Sequence, residues 1–241
     1  MKNWIWNPKT KGSGVITCIP QIGRCPHECS DCFFQSGRSY LEPLENNLPH
    51  IPPLKLSEDR IVRMNDGNDS NVDRELVEKT ARQFKNYFFN TSVNYELDKF
   101  SAPVVLTINP SNSTDINFQK VEPIPQNLMF VRFRTNMWNV GLLDKAVLYY
   151  SKKEIPIVIT FMAYYSDNIP KEYKSSYIWK KRTLNSYWVL RIDEINRIME
   201  TYKENQYVYS CGIKGQHSCK FCGNCIREYY NTKERMLDKL L

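Results

Sequence analysis

CPHECSDC (residues 25–32) places three cysteines at C-x3-C-x2-C on one short loop, close behind VITCI (15–19), a run that reads as a strand. Three thiolates leave a four-coordinate metal or cluster site one ligand short. The elements that follow this loop decide the fold that carries it.

The strand signal returns in RIVRM (60–64), PVVLTIN (103–109), LMFVRFRTN (128–136), IPIVITFMAY (155–164) and QYVYSC (206–211), giving six strand candidates. Helical patterns separate several of them. NVDRELVEKTARQFKNYFFN (71–90) has Val72, Leu76, Val77, Phe84 and Phe88 near helical spacing behind Ser70 or Asn71 as cap. VGLLDKAVLYYSKK (140–153) follows Asn139 as cap, and RIDEINRIMETYKEN (191–205) repeats the pattern. Strands alternating with helices imply right-handed crossovers and a parallel sheet. The sequence predicts an α/β protein: a partial (β/α)6 barrel over residues 1–210, with a short cysteine-rich extension over 211–241.

The chain's 241 residues, 41% of them hydrophobic, are enough for a sizeable core without covalent staples. All eight cysteines nevertheless fall into two groups: Cys18, Cys25, Cys29 and Cys32, then Cys211, Cys219, Cys222 and Cys225. Tight groups in a chain of this size point to metal or iron–sulfur ligation under reducing conditions rather than a disulfide framework. The N-terminal stretch has no apolar h-region, and the longest apolar run, 155–165, is far short of the ~20 residues of a membrane span. These features predict a cytoplasmic protein with no membrane association. The net charge of +7 fits nucleic acid, an acidic substrate or a lysine-rich solvated surface alike.

Alternation in LMFVRFRTN puts Arg132, Arg134 and Asn136 on one face and Val131, Phe133 and Thr135 on the other. The helix layer must bury the apolar face, so the arginines are expected to line the lumen, with Arg63, Asn65, Thr107, Asn109, Thr160 and Met162. Guanidinium groups there suit carboxylate or phosphate, which makes Arg63 and Arg132 candidate contacts to an anionic substrate such as a nucleotide or nucleic acid. Internal pairing with Asp66, Asp69 or Asp115 is expected for at least one of them, because a buried unpaired arginine is costly.

A C-x3-C-x2-C loop directly after the first strand of six βα units resembles the radical S-adenosylmethionine superfamily, an incomplete TIM barrel. The layout matches over roughly residues 14–211. The resemblance implies that Cys25, Cys29 and Cys32 bind a [4Fe–4S] cluster whose fourth iron takes the amino and carboxylate groups of S-adenosylmethionine. It further implies reductive cleavage of that cofactor to start radical chemistry, with a reductant such as flavodoxin or ferredoxin as partner. Cys18 would then be spare. NDGND (65–69) stands where the family has a glycine-rich segment, which makes Asn65, Asp66, Gly67 and Asn68 candidate cofactor contacts, together with Asn109, Arg134 and Asn136. The pattern departs from the family at Asp31, where an aromatic residue is usual, with Phe33 and Phe34 following instead. WNPKT (6–10) also resembles the WNP-x-T of an uncharacterised phage-associated family. The other reading of the first group is a closed zinc site completed by Cys18 or His27.

CGIKGQHSCKFCGNC (211–225) supplies a complete four-thiolate set, Cys211, Cys219, Cys222 and Cys225, for a second [4Fe–4S] cluster or a structural zinc ion, with His217 facing solvent. KEYKSSYIWKKR (171–182) mixes basic residues with Tyr173, Tyr177 and Trp179, which reads either as a surface for stacked bases or as a lid packed on the barrel rim. A non-catalytic zinc- or iron–sulfur-binding module that binds nucleic acid is therefore the alternative to an enzyme.

Overall fold

The computed structural model describes residues 4–29, 32, 49–109, 119–165, 167–181, 186–212 and 219–238. Seven strands form one sheet in the order β1 (Val15–Cys18), β2 (Ile61–Met64), β3 (Tyr87–Thr91), β4 (Val104–Ile108), β5 (Leu128–Thr135), β6 (Ile157–Phe161) and β10 (Val208–Ser210). Every neighbouring pair is parallel, and the sheet curls into a half-barrel.

The seventh strand is β3, which the helical reading of 71–90 had absorbed. Helix α2 (Arg74–Ala81) ends well before it, and its cap is Asp73, whose side chain accepts from Leu76 N, rather than Ser70 or Asn71. Phe88 and Phe89 are both fully buried, but Phe88 packs into the inner cluster and Phe89 into the outer one. Neighbouring residues pointing to opposite faces require a period of two, which no helix supplies. The fifth strand candidate also divides. β6 stays in the large sheet, while Ala163–Tyr164 (β7) joins a small antiparallel sheet with β8 (Tyr177–Lys180) and β9 (Tyr187–Leu190), in the order β7-β9-β8.

The outer face is apolar and helix-covered. Ile16, Cys18, Val62, Met64, Leu106, Val131, Phe133 and Ile159 pack with Val77 and Ala81 of α2, Leu143 and Val147 of α3 (Val140–Ser151), and Ile198 of α4 (Ile192–Thr201). Met162, expected in the lumen, joins this outer core because the chain leaves strand geometry after Phe161.

On the inner face, Val15, Ile61, Phe88, Val105, Met129, Phe130 and Val158 form a second cluster with Tyr229 of α6 (Asn224–Leu237), and Cys211, Cys225 and Ile226 pack against it. The C-terminal segment is thus built into the half-barrel. Arg235 near the end of α6 donates to the carbonyls of Gln126 (3.0 Å) and Leu128 (2.6 Å) at the start of β5, and Asn224 Nδ2 donates to Ser210 O (2.9 Å). Gly14 makes room for this helix, since a Cβ there would stand 2.8 Å from Ile226 Cδ1.

Aromatic packing welds the small sheet to the rim. Trp138 lies 5.3 Å from Tyr164, 5.8 Å from Tyr173 and 6.2 Å from Tyr177, ring to ring. The Tyr164 hydroxyl accepts from Asn136 Nδ2 (2.9 Å), and that of Tyr177 accepts from Met137 N (3.3 Å). Trp138 is half-buried, so Trp138→Ala is expected to cost about 2 kcal/mol. Chemical denaturation measures that loss, and limited proteolysis should find the segment around residue 180 cut faster than the barrel strands. Equal protection of both would show that the small sheet is held by other contacts.

Candidate metal centres

All strands of the large sheet run in parallel, so the loops after β1, β2, β4, β5 and β10 leave the same end of the half-barrel. Both cysteine groups begin there.

Ile19 pairs with His50 through two backbone hydrogen bonds (2.9 and 2.7 Å), which starts the first loop. The buried Gln21 then donates through Nε2 to the carbonyls of Asp69 (3.0 Å) and Val72 (2.7 Å), clasping this loop to the one after β2. Cys25, Cys29 and Cys32 follow, all partly buried, with Cys32 N donating to Cys29 O at 3.0 Å. Burial pushes the Cys25 thiol up to about 11, and the neighbouring charges of Asp69, Cys32 and Cys29 act in the same direction against a hydrogen bond from the His27 backbone. His27 approaches Asp69 (3.7 Å). Cys18 is fully buried on the outer face, where burial raises its thiol strongly. Asp31, Phe33 and Phe34 lie outside the described residues.

The NDGND loop is occupied by its own structure. Asn65 has a left-handed backbone (φ 59°), takes its N–H to Cys18 O (2.7 Å), and donates from Nδ2 to Ser70 Oγ (3.1 Å). Asp66 pairs with Arg63 Nη2 at 2.7 Å and also accepts from Asn7 Nδ2. Gly67 is buried, and Asn68 Oδ1 accepts from Asp69 N (2.8 Å). Asp69 accepts from Thr91 Oγ1, Ser92 N, Ser92 Oγ and Asn71 N at 2.6–2.9 Å.

Asn109 and Arg134 are buried at the same end. Asn136, fully buried, shapes the turn into α3: its N–H donates to Asn139 Oδ1 (2.9 Å) and its Oδ1 accepts from Trp138 N (3.0 Å). Asn139 in turn donates to Arg134 O (2.9 Å). Arg132 sits on the inner face, donating to Asn90 Oδ1 (3.0 Å) and Thr107 Oγ1 (3.3 Å). The internal pairing expected for a lumen arginine is the Arg63–Asp66 bridge; Asp115 lies outside the described residues.

In the second group, Cys211 follows β10 and donates its N–H to Ile159 O (2.7 Å). Cys219 and Cys222 bound the short helix α5 (Cys219–Cys222), whose first N–H reaches Lys9 O (2.8 Å) in the WNPKT segment. Gly223, at φ 67°, makes the left-handed turn into α6, which carries Cys225. Cys211 and Cys222 share a hydrogen bond that lowers the Cys211 thiol despite its burial, aided by the Arg132 charge. Burial pushes Cys225 up to about 11, opposed by Arg132 and Arg63. Cys219 is raised by burial and opposed by the same two guanidiniums. His217 lies outside the described residues.

Among the described residues no three His, Cys, Asp or Glu side chains stand together as a ready metal-binding group. In donor chemistry, both sets still fit sulfur-ligated centres: three thiols on one loop, and a set of four of which Cys211 and Cys225 pack against the inner cluster. Sequence reasoning missed Gln21 as the clasp between loops, and Asn90 as the acceptor for Arg132 because β3 was read as helix. Comparison with protein-family models, curated proteins and solved structures finds no match to the chain.

Proposed function

We propose that this protein is a radical S-adenosylmethionine enzyme of the partial-barrel type, acting on an anionic substrate in the cytoplasm with a reductant such as flavodoxin or ferredoxin. One observation carries the reading: three cysteines, and not Cys18, share the loop that leaves the first strand at the carboxyl end of a parallel half-barrel. Cys25, Cys29 and Cys32 would hold a [4Fe–4S] cluster, which supplies the electron that cleaves S-adenosylmethionine. The protein's own part is to fix that loop through Gln21 and His50. Arg134, buried near the carboxyl end of β5, supports an anionic substrate.

The second reading, a non-catalytic metal-binding module for nucleic acid, is favoured by the exposed Ile178 and Trp179 beside Lys174 and Lys181. Anaerobic purification separates the two. The enzyme reading expects a brown protein that forms 5′-deoxyadenosine from S-adenosylmethionine under dithionite. A colourless protein carrying zinc alone, and inert in that assay, would sink it.

A further inference from the structure

We infer that Arg63 and Arg132 serve the C-terminal thiol site: Cys211, Cys219, Cys222 and Cys225 form a metal–thiolate centre on the inner face of the half-barrel, and the two guanidiniums offset its negative charge. Their part is therefore to stabilise that centre rather than to clamp a substrate carboxylate.

The layering of the inner face carries this. Ile61, Phe130 and Val158 belong to the apolar cluster against which Cys211, Cys225 and Ile226 pack. Two residues further along the same faces stand Arg63, Arg132 and Thr160. The layer next to the packed thiols is thus the arginine layer, and Cys211 N–H donates to the carbonyl of Ile159, the residue before Thr160 (2.7 Å).

Neither arginine is satisfied by carboxylates alone. Arg132 has neutral acceptors, Asn90 and Thr107, among its hydrogen bonds. Arg63 has Asp66 on one Nη, while its Nε is buried with no hydrogen-bond partner. A buried guanidinium with one carboxylate partner and an unpartnered Nε, beside a half-buried one held by neutral acceptors, favours a further anionic neighbour. Four thiolates around a divalent ion, or around an oxidised [4Fe–4S] core, leave a doubly negative centre, which the two guanidiniums offset in part, Asp66 already sharing the charge of Arg63. The N-terminal segment closes the same site through Lys9 O on Cys219 N and through Asn7 on Asp66.

The inference rests on the C-terminal thiols and not on S-adenosylmethionine chemistry, so its test uses the full chain with Cys25, Cys29 and Cys32 all changed to alanine. Failure here leaves the enzyme reading standing. Co²⁺ is titrated anaerobically against a competing chelator, following the sulfur-to-cobalt charge-transfer absorption. Arg132→Gln and Arg63→Gln are each expected to weaken Co²⁺ binding roughly tenfold or more, the range for outer-shell partners of metal ligands. Arg132→Lys should retain most of the affinity, and Cys219→Ser should remove most of the charge-transfer intensity. Unchanged affinity in both glutamine variants would overturn the arginine role. In the chain with its natural sequence, Co²⁺ should slow alkylation of Cys211, Cys219, Cys222 and Cys225, read by mass spectrometry. Alkylation at an unchanged rate would overturn the site itself, independently of how any arginine variant folds.

Discussion

Cys25→Ala, Cys29→Ala and Cys32→Ala are each expected to abolish 5′-deoxyadenosine formation, whereas Cys18→Ala leaves it measurable. Each of the three removes a thiolate from a set that has no spare on its own loop. Cys18 belongs to a different environment: it is fully buried among Ile16, Val62, Met64 and their helix-side neighbours. Its thiol acts there as a small apolar group, and truncation should cost about 1 kcal/mol of packing without touching the loop of Cys25, Cys29 and Cys32. The decisive measurement is anaerobic iron content beside product formation for all four variants. If Cys18→Ala alone lost the iron, the assignment of ligands would be wrong; if all four kept it, the first loop would not be the cluster site.

The fold was legible wherever one residue pattern had one consequence. β5 alternates Arg132 and Arg134 with Val131 and Phe133, and the apolar set lies under the helices as a half-buried strand requires. Legibility failed where two periods competed. Phe84 and Phe88 satisfy helical spacing, but Phe88 and Phe89 are both needed in the core on opposite sides of the sheet, and tertiary burial prevailed over local periodicity. The site divided in the same way. The thiols were visible because cysteine spacing is local. Which face of the sheet each group would meet was invisible, because it depends on α6 returning across the inner face, a contact between residues far apart in sequence such as Arg235 and Gln126. The lid stretch was legible only in part: Tyr173 and Tyr177 pack on Trp138 at the rim, while Ile178 and Trp179 remain exposed on β8.

Asp69→Ala is expected to destabilise the protein by about 3–5 kcal/mol and to loosen the first cysteine loop with it. The carboxylate is almost completely buried and accepts from four donors, Thr91 Oγ1, Ser92 N, Ser92 Oγ and Asn71 N. Alanine leaves those donors without that acceptor in a place water reaches poorly, so the loss exceeds the net worth of the bonds themselves. Asn71 also donates to Thr91 Oγ1 (2.9 Å), which couples the loop after β2 to the end of β3 through two routes. The backbone carbonyl of Asp69 is one of the two acceptors for Gln21, and His27 faces its carboxylate, so movement here is passed directly to the chain between β1 and Cys25. A drop of roughly 10 °C in melting temperature is expected for a chain of this length. Iron retention during anaerobic gel filtration should fall in parallel. Asp69→Asn keeps one acceptor oxygen and the shape of the side chain, and should recover more than half of the lost stability. A melting temperature within a degree or two of the parent for Asp69→Ala would mean that the two loops are held apart from this carboxylate, and iron loss in the alanine variant without any change in stability would instead place Asp69 in the cluster's own environment.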